Sequence, residues 1–116
     1  MNLHTLFVYG TLKRNFHNHY LLEKAEYLGT GHTKYKFALY VNGIPFVIKT
    51  EQVSQIHGEL YEINDKTLKQ LDMLEGHPDW YFREQIDIVS ASGQTINAWL
   101  YFYPEPHGTL NITGIY

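Results

Sequence analysis

Over most of this chain, large apolar or β-branched residues alternate with polar ones at a period of two; in two short stretches the period lengthens to that of a helix. Thr5 to Tyr9 is a near-continuous apolar run that suits a buried strand, and it stops at Gly10. Behind Asn18, a candidate N-cap, Leu21, Leu22, Ala25 and Leu28 recur at helical spacing, predicting a short helix from about His19 to Tyr27 that Gly29 and Gly31 end. From Thr30 to Ile48 the pattern is extended, with Tyr35, Phe37, Leu39 and Val41 on alternate positions. Asn42-Gly43 reads as a tight turn, and Pro45, which cannot donate a ladder hydrogen bond, as a strand start or edge. Glu51 to Ser54 reads as a loop. A strand follows through Ile56, Gly58, Leu60 and Ile63, with Gly58 marking a bulge or a close backbone approach. Asn64 or Asp65 then caps a second helix that ends at Gly76, and Pro78 prevents its resumption. Residues 82–103 make the clearest hairpin, turning at Ser90 to Gly93, and its second strand carries large side chains on both faces, as a central buried strand does. Residues 104–116 read as an irregular tail, partly ordered at best.

Several short strands with two short helices predict an α+β fold. A sheet of this size manages its edges by curling or closing, so a small barrel with helices outside is expected, although the pattern alone does not separate a barrel from an open sheet. With 116 residues and no linker, repeat or low-complexity segment, residues 1–116 read as a single domain. An aromatic share of 16%, including ten tyrosines, strengthens the sheet-rich reading. A net charge of −3 with nine scattered cations argues against nucleic acid as the main partner. The absence of cysteine excludes disulfides and thiol chemistry. Neither a signal peptide nor a membrane-length apolar run is evident, so no membrane partner and a cytoplasmic location are the expectation; the oligomeric state is open.

Two stretches carry candidate chemistry. In Tyr9-Gly10-Thr11-Leu12-Lys13-Arg14, a strand that stops at a glycine leaves backbone N–H groups unpaired, and such groups form an anion-binding concavity. The second stretch is Leu71-Asp72-Met73-Leu74-Glu75-Gly76. On a wheel of about 100° per residue, Leu71 and Glu75 fall at about 300° and 340° relative to Leu68, so Glu75 shares the inward face of the leucines. It also sits in the last turn, where the helix dipole disfavours a negative charge. Burial and dipole both raise a carboxylate pKa, as a general base that later acts as an acid requires. Asp72, three residues earlier, would raise it further, although bonding to backbone or to Arg83 is the plainer reading. Lys13 and Arg14 are positioned to guide an anion but read first as solvated surface. Tyr9, Tyr81 and Tyr101 are candidates to line a pocket. His17 and His19, the nearest histidine pair, lack metal-ligand spacing, so no metal is expected. No serine elbow or phosphate loop occurs.

Phe7-Val8-Tyr9-Gly10-Thr11-Leu12-Lys13, followed at a distance by Leu71-Asp72-Met73-Leu74-Glu75-Gly76 and Tyr81-Phe82-Arg83, resembles the γ-glutamylcyclotransferase superfamily, and within it the small γ-glutamylamine cyclotransferase-like branch. The resemblance runs from about Leu6 to Tyr103. It implies a small mixed β-barrel with flanking helices and a cofactor-independent enzyme acting on a small γ-glutamyl compound. The α-amine would attack the γ-carbonyl, giving 5-oxoproline and a free amine or amino acid. Carried over by position, Tyr9, Gly10, Thr11 and Leu12 match the substrate-binding turn and Glu75 matches the acid/base. Members often have glycine where this chain has Asn15, the non-glycine residue type most tolerant of positive φ. A non-catalytic small-molecule binding domain on the same scaffold is the alternative; it would leave Glu75 exposed or fixed in a salt bridge. Amine-side specificity is expected from loops 14–19, 50–55 and 76–82.

Overall fold

The computed structural model describes residues 2–116. Five strands, β1 (Leu3–Val8), β2 (Glu26–Thr33), β5 (His57–Asn64), β6 (Phe82–Ser90) and β7 (Thr95–Phe102), close into a barrel in the order β1-β5-β2-β6-β7. All neighbours are antiparallel except at the seam, where β1 meets β7 in parallel through Leu6 and Trp99. The expected α+β class and mixed barrel are therefore present. A second antiparallel sheet, β4-β3-β8, is built from β3 (Ala38–Asn42), β4 (Ile44–Ile48) and β8 (Thr109–Asn111).

The alternation in β1 separates two cores. Phe7 joins Leu60, Ile88, Ala98, Leu100 and Phe102 of the other barrel strands, with Phe37, Leu39 and Val47 packing in from beside and within the second sheet. Leu6 and Val8 face the opposite way, onto Leu22 and onto Leu68 and Leu71 of helix α1 (Asp65–Glu75). One further position shows why the first two strands lie so close. A Cβ on Gly58 would stand 2.1 Å from the Val8 carbonyl oxygen, so only glycine permits this approach of β5 to β1. The irregularity of the ladder lies elsewhere, in β2 between Tyr27 and Gly29.

Helix α1 follows its sequence signals. The Asn64 side chain accepts a hydrogen bond from the Thr67 N–H, and Gly76 adopts the left-handed conformation at φ 67°. Among the described residues no helix is long and apolar enough to cross a membrane.

Three expectations are corrected. The helix predicted over His19 to Tyr27 is a single 3-10 turn, His19–Leu22, so among the described residues one α-helix and one such turn flank the barrel. Asn18 holds the N-cap position of that turn, but its side chain makes no capping hydrogen bond; its amide donates to the Thr11 hydroxyl at 3.0 Å, while Glu26 and Tyr27 pair with Glu62 and Tyr61 in the barrel. Strand pairing satisfies backbone groups over eight residues, which a two-turn helix on the surface does not match. Residues 104–116 are not simply irregular either. They contain β8, which covers the free side of β3, and the Gly114 carbonyl accepts from the His57 N–H at 2.9 Å. In the turn at Asn42-Gly43, Asn42 pairs directly with Ile44, leaving Gly43 alone at the bend.

Candidate active site

The chain leaves β1 at Val8 and turns sharply: the Lys13 N–H donates to the Gly10 carbonyl at 3.0 Å, and the Asn18 N–H to the Thr11 carbonyl at 3.1 Å. Among the described residues no backbone acceptor outside the strands engages the N–H groups of Gly10, Thr11 and Leu12. Gly10 is required here for closeness and not for a positive φ, since a Cβ would lie 2.6 Å from Pro45 Cγ. Asn15, which closes the turn, has φ 71°, the left-handed conformation expected of it.

This turn borders a cavity of about 220 Å³. Glu75, Leu74, Trp80 and Tyr81 come from the end of α1 and the loop after it, Tyr101 from β7, and Ile44 and Pro45 from the start of β4. The predicted residues Tyr9, Gly10, Thr11, Leu12 and Glu75 thus line one pocket, together with the other two candidate tyrosines, Tyr81 and Tyr101. Lys13 and Arg14 do not line it. The Lys13 amine donates to the Tyr116 backbone oxygen at 2.8 Å, and the Arg14 guanidinium sits 3.7 Å from the centre of the Tyr27 ring.

Glu75 is held at the pocket by its own backbone. The loop that follows folds back on the helix end: the Tyr81 N–H donates to the Glu75 carbonyl at 3.1 Å, and the Asp79 and Trp80 N–H groups both donate to the Gly76 carbonyl at 2.9 Å. Carbonyls that a helix end would leave unpaired are in this way satisfied by the chain that builds the pocket wall. Burial alone raises the Glu75 carboxyl to about 7.

Asp72 has a different place. Burial opposes its ionisation, but hydrogen bonds from Arg83 and Tyr101 outweigh that and hold it below the usual carboxylate range. Arg83 Nε and Nη2 reach its two oxygens at 2.8 and 3.0 Å, and the Tyr101 hydroxyl donates to Oδ1 at 2.7 Å. The bond to Arg83 is as expected. The added push of Asp72 on Glu75 is not present.

The tyrosines stay protonated. Burial first, then Tyr81 and Glu75, keep Tyr9 well above the ordinary phenol range, and its hydroxyl donates to the Tyr101 carbonyl at 3.0 Å. Burial, chiefly, likewise raises Tyr81 and Tyr101. Of the ionisable side chains on the pocket wall, Glu75 is therefore the one that exchanges a proton near neutrality.

Sequence reasoning did not reach Ile44, Pro45 or Leu74, and it reached Trp80 only as part of loop 76–82. Loops 14–19 and 76–82 do contribute, through Asn18, Trp80 and Tyr81, but loop 50–55 does not, its place being taken by the β3–β4 turn. A tryptophan five residues after the candidate acid/base was the one available signal.

The strand-end turn and the part-buried helix-end glutamate thus line one tyrosine-walled pocket. The chain belongs to the family described as "Gamma-glutamyl cyclotransferase, AIG2-like", whose profile matches residues 6–114. It is 51% identical, over 96% of its length and 93% of the relative's, to a Methanocaldococcus jannaschii protein named "Putative gamma-glutamylcyclotransferase". It is 34% identical to zebrafish (Danio rerio) γ-glutamylaminecyclotransferase C, over 82% of this chain and 70% of that one. The fold superposes on the crystal structure of a mouse AIG2-like protein with a TM-score of 0.87 at 26% identity, covering 100% of this chain and 89% of the other.

Proposed function

We propose that the protein is a γ-glutamylcyclotransferase that converts a γ-glutamyl compound to 5-oxoproline and releases the amine. The observation that carries this reading is the Glu75 carboxyl, without an ion-pair or hydrogen-bond partner among the described residues and raised to about 7, in the same pocket as the N–H groups of Gly10, Thr11 and Leu12, which no backbone acceptor outside the strands engages among those residues. The α-amine nitrogen forms a bond to the carbonyl carbon of the γ-glutamyl amide, and the C–N bond from that carbon to the leaving amine breaks. Glu75 takes the proton that the attacking nitrogen loses and returns it to the departing one. Every atom comes from the substrate, and nothing is oxidised or reduced.

The pKa of Glu75 suits both transfers. An α-ammonium group titrates near 8, so a carboxylate near 7 is well matched to receive its proton and, once protonated, to protonate the leaving nitrogen. The backbone N–H groups are donors for the α-carboxylate or for the oxyanion of the tetrahedral intermediate. Ring closure is intramolecular, so much of the barrier is removed by holding the glutamyl chain folded, which a cavity of about 220 Å³ walled by Tyr9, Tyr81 and Tyr101 is shaped to do. A non-catalytic binder would call for Glu75 to be exposed or fixed in an ion pair, and the part-buried, unpaired carboxyl argues against that.

The test is 5-oxoproline release from a panel of γ-glutamyl amines and γ-glutamyl amino acids by wild type and Glu75→Gln. The expected result is turnover by wild type and a loss of about 10²–10⁴-fold in the folded variant. Release from no compound, or equal release by the variant, overturns the reading.

A further inference from the structure

We propose that Asp72 is a positioning residue for the cyclisation: by binding the Arg83 guanidinium and the Tyr101 hydroxyl, it withholds two neighbouring donors from Glu75. The proposal rests on the cyclotransferase reading and adds to it a residue that acts through others without touching substrate.

The helix sets the problem. Asp72 and Glu75 are three residues apart on α1, which makes them neighbours on one helix surface, with Cβ atoms about 5–6 Å apart. A donor that reaches one carboxylate is within a side-chain swing of the other. The partners are nevertheless divided unequally. Asp72 takes two N–H groups of Arg83, at 2.8 and 3.0 Å, and the Tyr101 hydroxyl at 2.7 Å. Among the described residues the Glu75 carboxyl takes no side-chain donor, and burial is the one cause acting on it.

The division is held from several sides. Two parallel N–H···O bonds fix the Arg83 fork on Asp72, and the guanidinium also lies 4.2 Å from the centre of the Trp99 ring. The Arg83 and Asp72 side chains are only 18% and 20% exposed, so salt and water loosen the pair little. Tyr101 has one hydroxyl proton, and Asp72 has it. The Tyr9 hydroxyl is likewise taken by the Tyr101 carbonyl, at 3.0 Å. Tyr81, the third phenol on the wall, is kept protonated chiefly by burial. His77 lies beside Asp72 and not on the cavity wall, its Nδ1 accepting from the Arg83 N–H at 3.3 Å. Among the described residues no lysine, arginine or histidine lines the cavity.

The consequence is chemical. A guanidinium or a phenol on the Glu75 carboxylate would stabilise its charge and leave it a weaker base toward the α-ammonium group. Two carboxylates one helical turn apart therefore have separate work: Asp72 collects the donors and stays ionised, and Glu75 is left able to exchange a proton.

The experiment reads the acid limb of the pH profile of kcat/KM for 5-oxoproline release, with the Glu75 carboxyl carbon followed in parallel by NMR titration. In wild type the limb falls at about 7. Asp72→Asn keeps an acceptor for Tyr101 but loses the charge that holds Arg83, and the limb moves down to about 6 or below; Asp72→Ala frees both donors and moves it further. Combining Asp72→Asn with Arg83→Met removes the freed cation and returns the limb to about 7. A limb unmoved in folded Asp72→Asn, whatever fall in kcat/KM accompanies it, means that Asp72 serves packing alone and overturns the proposal, as does a limb that stays low in the double variant. The near-isosteric Asp72→Asn decides even if Asp72→Ala fails to fold. Because the NMR titration needs no turnover, a Glu75 carboxyl that shifts as described in a protein releasing no 5-oxoproline overturns the cyclotransferase reading instead.

Discussion

Replacing Glu75 by glutamine should abolish catalysis and, at the same time, make the protein more stable, with the gain appearing only as pH rises. The native carboxyl titrates at about 7 because burial penalises its charge, whereas in the unfolded chain it titrates near its ordinary value of 4.5. Between those values the native state holds a proton that the unfolded state has released, so wild-type stability falls as pH rises from 4.5 to 7 and levels off above. The interval from 4.5 to about 7, at about 1.4 kcal/mol per pH unit, gives a penalty of about 3 kcal/mol, an upper figure because the carboxyl keeps some contact with water. Glutamine has nearly the same shape and never carries the charge. Urea titrations of both proteins at pH 4.5, 6 and 7.5 read the difference directly. The midpoints should nearly coincide at pH 4.5 and separate by about 1–2 M at pH 7.5 in favour of the variant, with the slope m unchanged. A variant less stable than wild type at pH 7.5 would refute the argument, since the native carboxylate would then be favourably paired, and so would an offset independent of pH, since the carboxyl would then titrate alike in the native and unfolded states. A residue that costs stability while supporting activity is what a site under functional constraint contains.

The other expectations concern the scaffold and the substrate. Gly58→Ala places a Cβ at 2.1 Å from the Val8 carbonyl oxygen and 2.9 Å from Phe7 Cζ, so β1 must shift; a loss above about 3 kcal/mol or an insoluble product is expected, and a loss below about 1 kcal/mol by thermal unfolding would contradict the close approach. Arg83→Met leaves Asp72 with the Tyr101 hydroxyl alone and should cost about 2–3 kcal/mol at pH 7. Because the Asp72 carboxyl is held below its ordinary 3.8 in the native state, that contribution is present above 3.8 and is lost as pH falls through the native value, so the difference between variant and wild type should shrink as unfolding is measured at successively lower pH below 3.8. The loss of 5-oxoproline release in Glu75→Gln completes the set.

Much of the candidate site was legible because its signals are local. The helical wheel depends only on a fixed rotation per residue, so Leu68, Leu71 and Glu75 share a face whatever surrounds them. Asn64 and Gly76 bound the helix by capping rules that act within one turn. Where a second use of the same residues competed, reading from sequence failed. Leu21, Leu22 and Ala25 have the spacing of a helix and do pack inward, yet the segment is a 3-10 turn because Glu26 and Tyr27 are taken by the barrel. The tail became a strand because β3 had a free side to offer it.

What the chain alone determined, then, is its local elements and the direction of Glu75: the hairpin of β6 and β7, the capped helix, the turn after Val8. Only the tertiary structure decided how they meet. The closure of β1 against β7 at Leu6 and Trp99 joins residues far apart in the chain, and no local preference encodes such a pairing. Pro45 reaching Gly10 is likewise a contact between residues far apart in the chain. The pKa of Glu75 belongs to the same class, because its cause is burial, and burial is a property of the assembled pocket and not of any stretch of sequence.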